Sequence, residues 1–250
     1  MITSQRLLVA TVFLATSALP TAAQEVPLPI RTSVACAPQA RTESAPSDAP
    51  RIIGAQDAAV RTLYGARDLV IIDSGSGHGL QLGQKFAVRA IAQAGYRMKS
   101  ALKPVVTKGR LTVVAVNEGT SIGTVDFACD GIERGDFLEP WVEPVIPVDV
   151  NRTDAGGALD FSSPVRVLFG EYAHSTVGGG DLVLAEGGRS RELVPGERMA
   201  VYRDAHVDGV PLVAIGEAIV ISVGDATSLV RLTRSRDAVI SGDLLIRRKN

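Results

Sequence analysis

Residues 68–88 read DLVIIDSGSGHGLQLGQKFAV, and residues 181–201 read DLVLAEGGRSRELVPGERMAV. Set one above the other, 113 positions apart, they align without a gap. Asp68-Leu69-Val70-Ile71 falls on Asp181-Leu182-Val183-Leu184, Leu80 on Leu193, Gly83 on Gly196, Phe86 on Met199 and Val88 on Val201. Further along the offset becomes 107: Thr120-Ser121 falls on Thr227-Ser228, Val125 on Leu232, Ile132 on Val239, and Gly135-Asp136 on Gly242-Asp243. The first copy therefore carries six extra residues, placed around Ala90 to Lys108. Upstream, Arg51-Ile52-Ile53-Gly54 matches Arg166-Val167-Leu168 and Gly170 with one residue slipped. Ordered agreement over two long segments points to an internal duplication.

Each copy consists of short apolar and β-branched runs bounded by Gly and Asp, a pattern of strands rather than helices. Gly83 and Gly196 sit at turns, and Gly135-Asp136 and Gly242-Asp243 reverse the chain before the last strand, Gly taking a positive φ and Asp bonding nearby backbone donors. One or two helical turns are open to Asp57–Leu63. An antiparallel sheet closed or partly closed on itself is the economical way to hide edges in so small a unit. The expected fold is all-β, two homologous small antiparallel β-barrel-like domains in tandem, with little helix.

Around these copies the chain divides into a signal peptide (1–23), an extended N-terminal arm (24–50), the first β-module (51–139), a Pro/Gly linker (140–163) and the second β-module (164–250). Leu7 to Thr16 has the length of a secretory apolar core, and Thr21-Ala22-Ala23 offers small residues for cleavage after Ala23. The competing reading of that run is a buried helix. No other apolar stretch is long enough for a transmembrane helix. The expected location is secreted, periplasmic or cell-envelope associated. In an oxidising compartment Cys36 and Cys129, 93 positions apart, would pair and tie the arm to the first module. Alternatively Ser33-Val34-Ala35 is a lipobox and Cys36 a lipoprotein anchor. A catalytic thiol lacks a His nearby in sequence. Asn151-Arg152-Thr153 has the form of a glycosylation acceptor.

Composition removes other classes. The 26 Lys and Arg stand against 27 Asp and Glu, for a net charge of −1, with no basic surplus for nucleic acid. Two cysteines cannot build a zinc ribbon or an iron–sulfur cluster. At 46% hydrophobic residues the chain is too apolar for disorder.

The run of Asp68-Leu69-Val70, Gly75, Gly79-Leu80, Gly83, Phe86-Ala87-Val88-Arg89, Thr120-Ser121, Ile132 and Gly135-Asp136 resembles a β-module of bacterial envelope proteins. It is similar to the carboxy-terminal module that accompanies LysM peptidoglycan-binding domains and to the carboxy-terminal domain of flagellar assembly protein T. The second copy carries the pattern in Asp181-Leu182-Val183, Gly188, Leu193, Gly196, Met199-Ala200-Val201-Tyr202-Arg203, Gly216 and Gly242-Asp243-Leu244. The resemblance spans most of residues 51–139 and 164–247. It implies an envelope location, a structural or binding role and no catalytic residues, although the chain has no recognisable LysM segment.

Catalytic signatures are sparse. Asp73-Ser74-Gly75 after an apolar strand resembles the loop of aspartic proteases, where two carboxylates share a proton. The second copy, however, has Glu186-Gly187-Gly188 at those positions. A hydrolase built on Asp73 is the alternative to a non-enzymatic protein. The glycines at 75, 77, 79 and 83 lack a phosphate-loop register, His78, His174 and His206 are far apart, and no nucleophile elbow is present. No catalytic, cofactor or metal residues are assigned. Arginines concentrate in the second copy, and Arg234, Arg236, Arg247 and Arg248 are the candidate interaction face, for an envelope protein or a polysaccharide such as peptidoglycan. The alternatives are a solvated strand face and assembly through exposed sheet edges.

Overall fold

A computed structural model describes residues 28–39, 45–57, 61–92, 105–150, 156–170, 174 and 176–249. The expected signal segment, Asn151 and most of the six-residue excess lie outside the described residues. The protein is mostly β. In the first module the strands are β1 (Ile52–Ala55), β2 (Leu63–Tyr64), β3 (Leu69–Ile72), β4 (Lys85–Ile91), β5 (Val105–Val116), β6 (Ser121–Ala128), β7 (Ile132–Glu133) and β8 (Phe137–Pro140). The second has β9 (Ala158–Gly170), β10 (Thr176–Val177), β11 (Leu182–Glu186), β12 (Arg198–Arg203), β13 (Val213–Val223), β14 (Thr227–Ser235), β15 (Val239–Ile240) and β16 (Leu244–Lys249). Leu63 opens a strand, and residues 58–60 of the expected helical turn lie outside the described residues.

The two modules share one strand order. The first sheet runs β1-β3-β6-β5-β4-β8, and the second is a closed barrel with β9-β11-β14-β13-β12-β16 in the same sequence. Each module adds a two-stranded ribbon, β2 with β7 and β10 with β15. Ile52, Gly54 and Ala55 face Ile72, Ile71 and Val70, while Val167, Phe169 and Gly170 face Ala185, Leu184 and Val183. The upstream match is thus a uniform offset of 115 with no slip, and Ala55 rather than Gly54 corresponds to Gly170. Val88 pairs with Gly109 and Val201 with Gly216, so the extra residues fall between those two partners.

Closure differs between the copies. Long β9 pairs with β11 at one end and β16 at the other, whereas β1 meets β8 only through the Arg51–Phe137 bridge and a few backbone bonds, among them Leu138 N–H to the Pro50 carbonyl at 2.8 Å. Proline has no N–H for a ladder, and Pro46 and Pro50 lie where the first strand would have to extend. The first sheet is consequently a curled half-barrel. β9 begins six residues before the expected boundary at 164, and Pro164 is accommodated where its register against β16 shifts.

Alternation along each strand gives each module its own core. Ile52, Val70, Ile72, Val88, Leu111, Val125 and Leu138 fill the first, and Val167, Val183, Met199, Val201, Val220, Leu232 and Leu245 the second. A third cluster corrects the expectation of an extended arm: Leu28–Cys36 form a helix, α1. Pro29 suits a first turn, where N–H groups have no intrahelical partner. Ile30 and Val34, one helical turn apart, together with Ala37, pack on Leu182, Ile219, Ile221 and Leu229. Those four residues alternate with inward-facing Val183, Val220 and Val230, so α1 covers the outer face of the second barrel.

Immediately after α1 the same segment joins the first module. Cys36 is disulfide-bonded to Cys129 with Cα atoms 5.5 Å apart. The Ala37 carbonyl accepts the Thr107 hydroxyl at 2.9 Å, and Gln39 N–H donates to the Val105 carbonyl at 2.9 Å. One short segment therefore binds both modules.

Candidate binding cleft between the modules

Where α1, the linker and the two modules meet, the surface folds into a cleft of about 590 Å³. Val34, Ile221 and Leu229 contribute apolar lining. One side is the Pro140–Val145 stretch, held open by prolines; the other is the β13–β14 turn from Ser222 to Thr227. Charged groups share the lining, among them Arg89, Glu139, Glu143, Arg189 and Asp225. Arg89 is buried, bonds the Thr107 hydroxyl and lies 3.4 Å from Glu139, and Arg189 is paired with Asp225 opposite.

Trp141, the only tryptophan, belongs to this lining. Its ring meets Phe127 edge-on at 6.0 Å, Arg110 lies 5.1 Å from both ring centroids, and its indole N–H donates to Glu143 at 2.9 Å. Asp126 pairs with Arg110 at 2.8 Å from the adjoining strand, so the guanidinium that supports the indole is itself oriented. Beside it Val142 and Val145 are 78% and 85% exposed, an apolar strip presented to solvent. The result is a concave surface that combines apolar side chains, a fixed aromatic and oriented charged groups, the make-up of a binding cleft.

Of the four arginines expected to form one face, Arg234 and Arg248 both neighbour Glu217, whereas Arg247 is turned away from them. Arg247 pairs with Glu197 and donates to the Arg191 and Glu192 carbonyls at 3.4 and 3.2 Å, while Arg248 points to the other side of β16 and holds Glu217 at 2.9 Å. Adjacent residues of a strand face opposite sides of its sheet, which separates the two. Arg234 stands opposite Glu217 on β14, and Arg236 follows the end of that strand; both are exposed. The Asp73 carboxylate accepts the Arg51 N–H at 2.7 Å and the Ser74 hydroxyl at 3.4 Å, a strand-end cap joining β1 to β3. Gly83, Gly196, Gly135 and Gly242 adopt φ of 81°, 87°, 97° and 97°, the left-handed turn conformations expected of them. Asp136 and Asp243 each accept a backbone N–H three residues upstream, from Glu133 and Ile240, both at 2.8 Å. The bond to Cys129 uses the Cys36 sulfur, and a lipid thioether there would exclude it.

Sequence reasoning missed α1 and Trp141. The signal for α1 was present: Leu182-Val183-Leu184, Ile219-Val220-Ile221 and Leu229-Val230 are apolar on both strand faces, which demands a cover outside the barrel. At the corresponding positions of the first module stand Leu69, Thr112, Val114 and Ile122, and there Leu69 and Val114 are exposed. Among the described residues no helix is long and apolar enough to cross a membrane, and no group of three His, Cys, Asp or Glu is placed to hold a metal ion. No family model matches the chain. No curated protein matches it either.

Proposed function

We propose that the protein is a non-enzymatic binding or scaffolding component of the bacterial cell envelope, exported by its N-terminal segment, and that the cleft between its modules holds an extended stretch of an envelope protein or polysaccharide. The observation that carries this reading is the cleft itself, with an apolar floor, proline-held and hairpin walls and Trp141 fixed by Phe127 and Arg110. The paired cysteines and the secretory pattern at the amino terminus support an oxidising location.

Because Trp141 is the sole tryptophan, its fluorescence reports directly on the cleft. Titrating residues 24–250 with soluble peptidoglycan fragments, and separately with fractionated envelope proteins, should give a saturable change with one of them. Val145→Glu should abolish that change while leaving the circular dichroism spectrum intact. No response to either class, or a response indifferent to Val145→Glu, overturns the cleft as the binding site. Export is checked separately by fusing residues 1–27 to alkaline phosphatase lacking its own leader; an inactive, cytoplasmic fusion would refute it.

A further inference from the structure

The duplication gives each module a copy of one polar device, and only one copy is complete. In the second module Arg203, on β12, lays its guanidinium across Asp243, with Nε to Oδ1 at 2.9 Å and Nη2 to Oδ2 at 2.7 Å. The same group reaches Asp237 at 2.9 Å and the Ala238 carbonyl at 2.5 Å. Asp243 is 3% exposed, and Arg203 neutralises it with bidentate geometry.

In the first module the cradle is retained. Asp136 stands for Asp243, Asp130 for Asp237 and Gly131 for Ala238, and their backbone bonds are reproduced: Gly131 N–H to Asp130 and Ala238 N–H to Asp237 are both 2.8 Å. The arginine is gone. Its position on β4, set by the shared register of Ala90 with Val106 and Arg203 with Val213, is Ala90. Where the guanidinium would lie there is a cavity of about 390 Å³ lined by Ala90, Lys108, Asp130, Glu133 and Asp136, with Cys36 and Pro38 of the arm as a further wall. Lys108 takes over Asp130 at 2.7 Å, but among the described residues no cation lies within ion-pair distance of Asp136, which is 8% exposed.

We infer that this cavity is a binding site for a guanidinium group supplied by another molecule, which completes on Asp136 the contact that Arg203 makes on Asp243. A planar fork of N–H donors fits a carboxylate flanked by a backbone carbonyl, whereas the compact ammonium of Lys108 is already engaged by Asp130. Burial raises the Asp136 pKa from 3.8 to about 6, the mark of a carboxylate with no adequate counterion. The groups facing it are Lys108 from β5, which favours its charge, and Asp130 and Glu133, which oppose it. The site is separate from the cleft at Trp141 and does not depend on that reading.

The test is calorimetric titration of residues 24–250 with two guanidinium probes, free L-arginine and an arginine-containing pentapeptide, and with the citrulline analogue of each as a neutral control. At least one arginine probe should bind saturably and its citrulline counterpart should not. Binding of free arginine assigns a small-molecule source, and binding of the peptide alone a protein side chain. Asp136→Asn should weaken binding at least tenfold, Ala90→Arg should abolish it by restoring the missing side chain, and affinity should fall about tenfold from pH 7.5 to pH 5. No binding of either probe, equal binding of citrulline, or binding unaltered by both substitutions overturns the inference. So does binding that emerges only after Arg41→Gln and Arg97→Gln, since the chain's own arginine would then be the occupant.

Discussion

Asp136 and Asp243 occupy the same place in the two copies and should respond oppositely to loss of charge. The folded carboxyl of Asp136 keeps its proton up to about pH 6, against 3.8 when unfolded, so folding takes up a proton between those values. The stability from this group is therefore full below about pH 4 and is lost as the pH rises through about 6. At pH 7.5 the buried charge costs about 2 to 3 kcal/mol. Asp136→Asn keeps the acceptor for the Glu133 N–H and should raise Tm by several degrees at pH 7.5, with the difference vanishing at pH 4. Asp243→Asn instead strips Arg203 of its bidentate partner and should lose about 2 kcal/mol in urea unfolding at neutral pH. Matched changes of the same sign in both variants would contradict this assignment. Both aspartates were legible in the sequence as turn residues because each follows a glycine at the same offset. The unequal fate of their charges was not, since Arg203 and Ala90 become comparable only once β12 and β4 fix the register.

Among the elements, the strands were readable and α1 was not, for a physical reason. Strand residues carry their signal in local alternation and glycine punctuation, as Asp68–Val88 and Asp181–Val201 do. Residues 28–36 are short for an isolated helix and hold their form through contacts with residues 182–229, far along the chain. Each large side chain so buried contributes about 1.5 to 3 kcal/mol. Val34→Asp should therefore release α1, cost about 3 kcal/mol and accelerate amide exchange in residues 30–37 without altering the β-sheet spectrum. Unchanged exchange there would show that the helix does not rely on this contact. The 3₁₀ turns after β3 and β11 carry a stricter local demand. A Cβ on Gly75 or Gly188 would lie 2.2 Å from the Asn117 or Gly224 carbonyl oxygen, whereas one on Gly54 meets nothing within 4 Å. Gly75→Ala and Gly188→Ala should each cost more than about 2 kcal/mol, and Gly54→Ala should be nearly neutral, as judged by urea midpoints.

On the scale of the whole molecule, two sheets with separate cores are joined by the linker and, independently, by the α1 segment. The disulfide closes 93 positions of chain around most of the first module, and the loss of unfolded-state entropy is worth about 4 to 5 kcal/mol. A Cys36→Ser, Cys129→Ser protein should show a correspondingly lower urea midpoint. If the disulfide also sets the placement of the modules, small-angle scattering of that variant should give a broader distance distribution than the oxidised protein. The linker's prolines and the cysteine pair were visible in the sequence, but the helix that turns them into a two-point attachment was not. That attachment also orders events in time. The α1 segment has its docking surface on strands made more than a hundred residues later, and loop-closure entropy delays such distant pairings. Docking of α1 therefore cannot precede the pairing of β11, β13 and β14, and until Leu229 is in place its apolar face has nowhere to go.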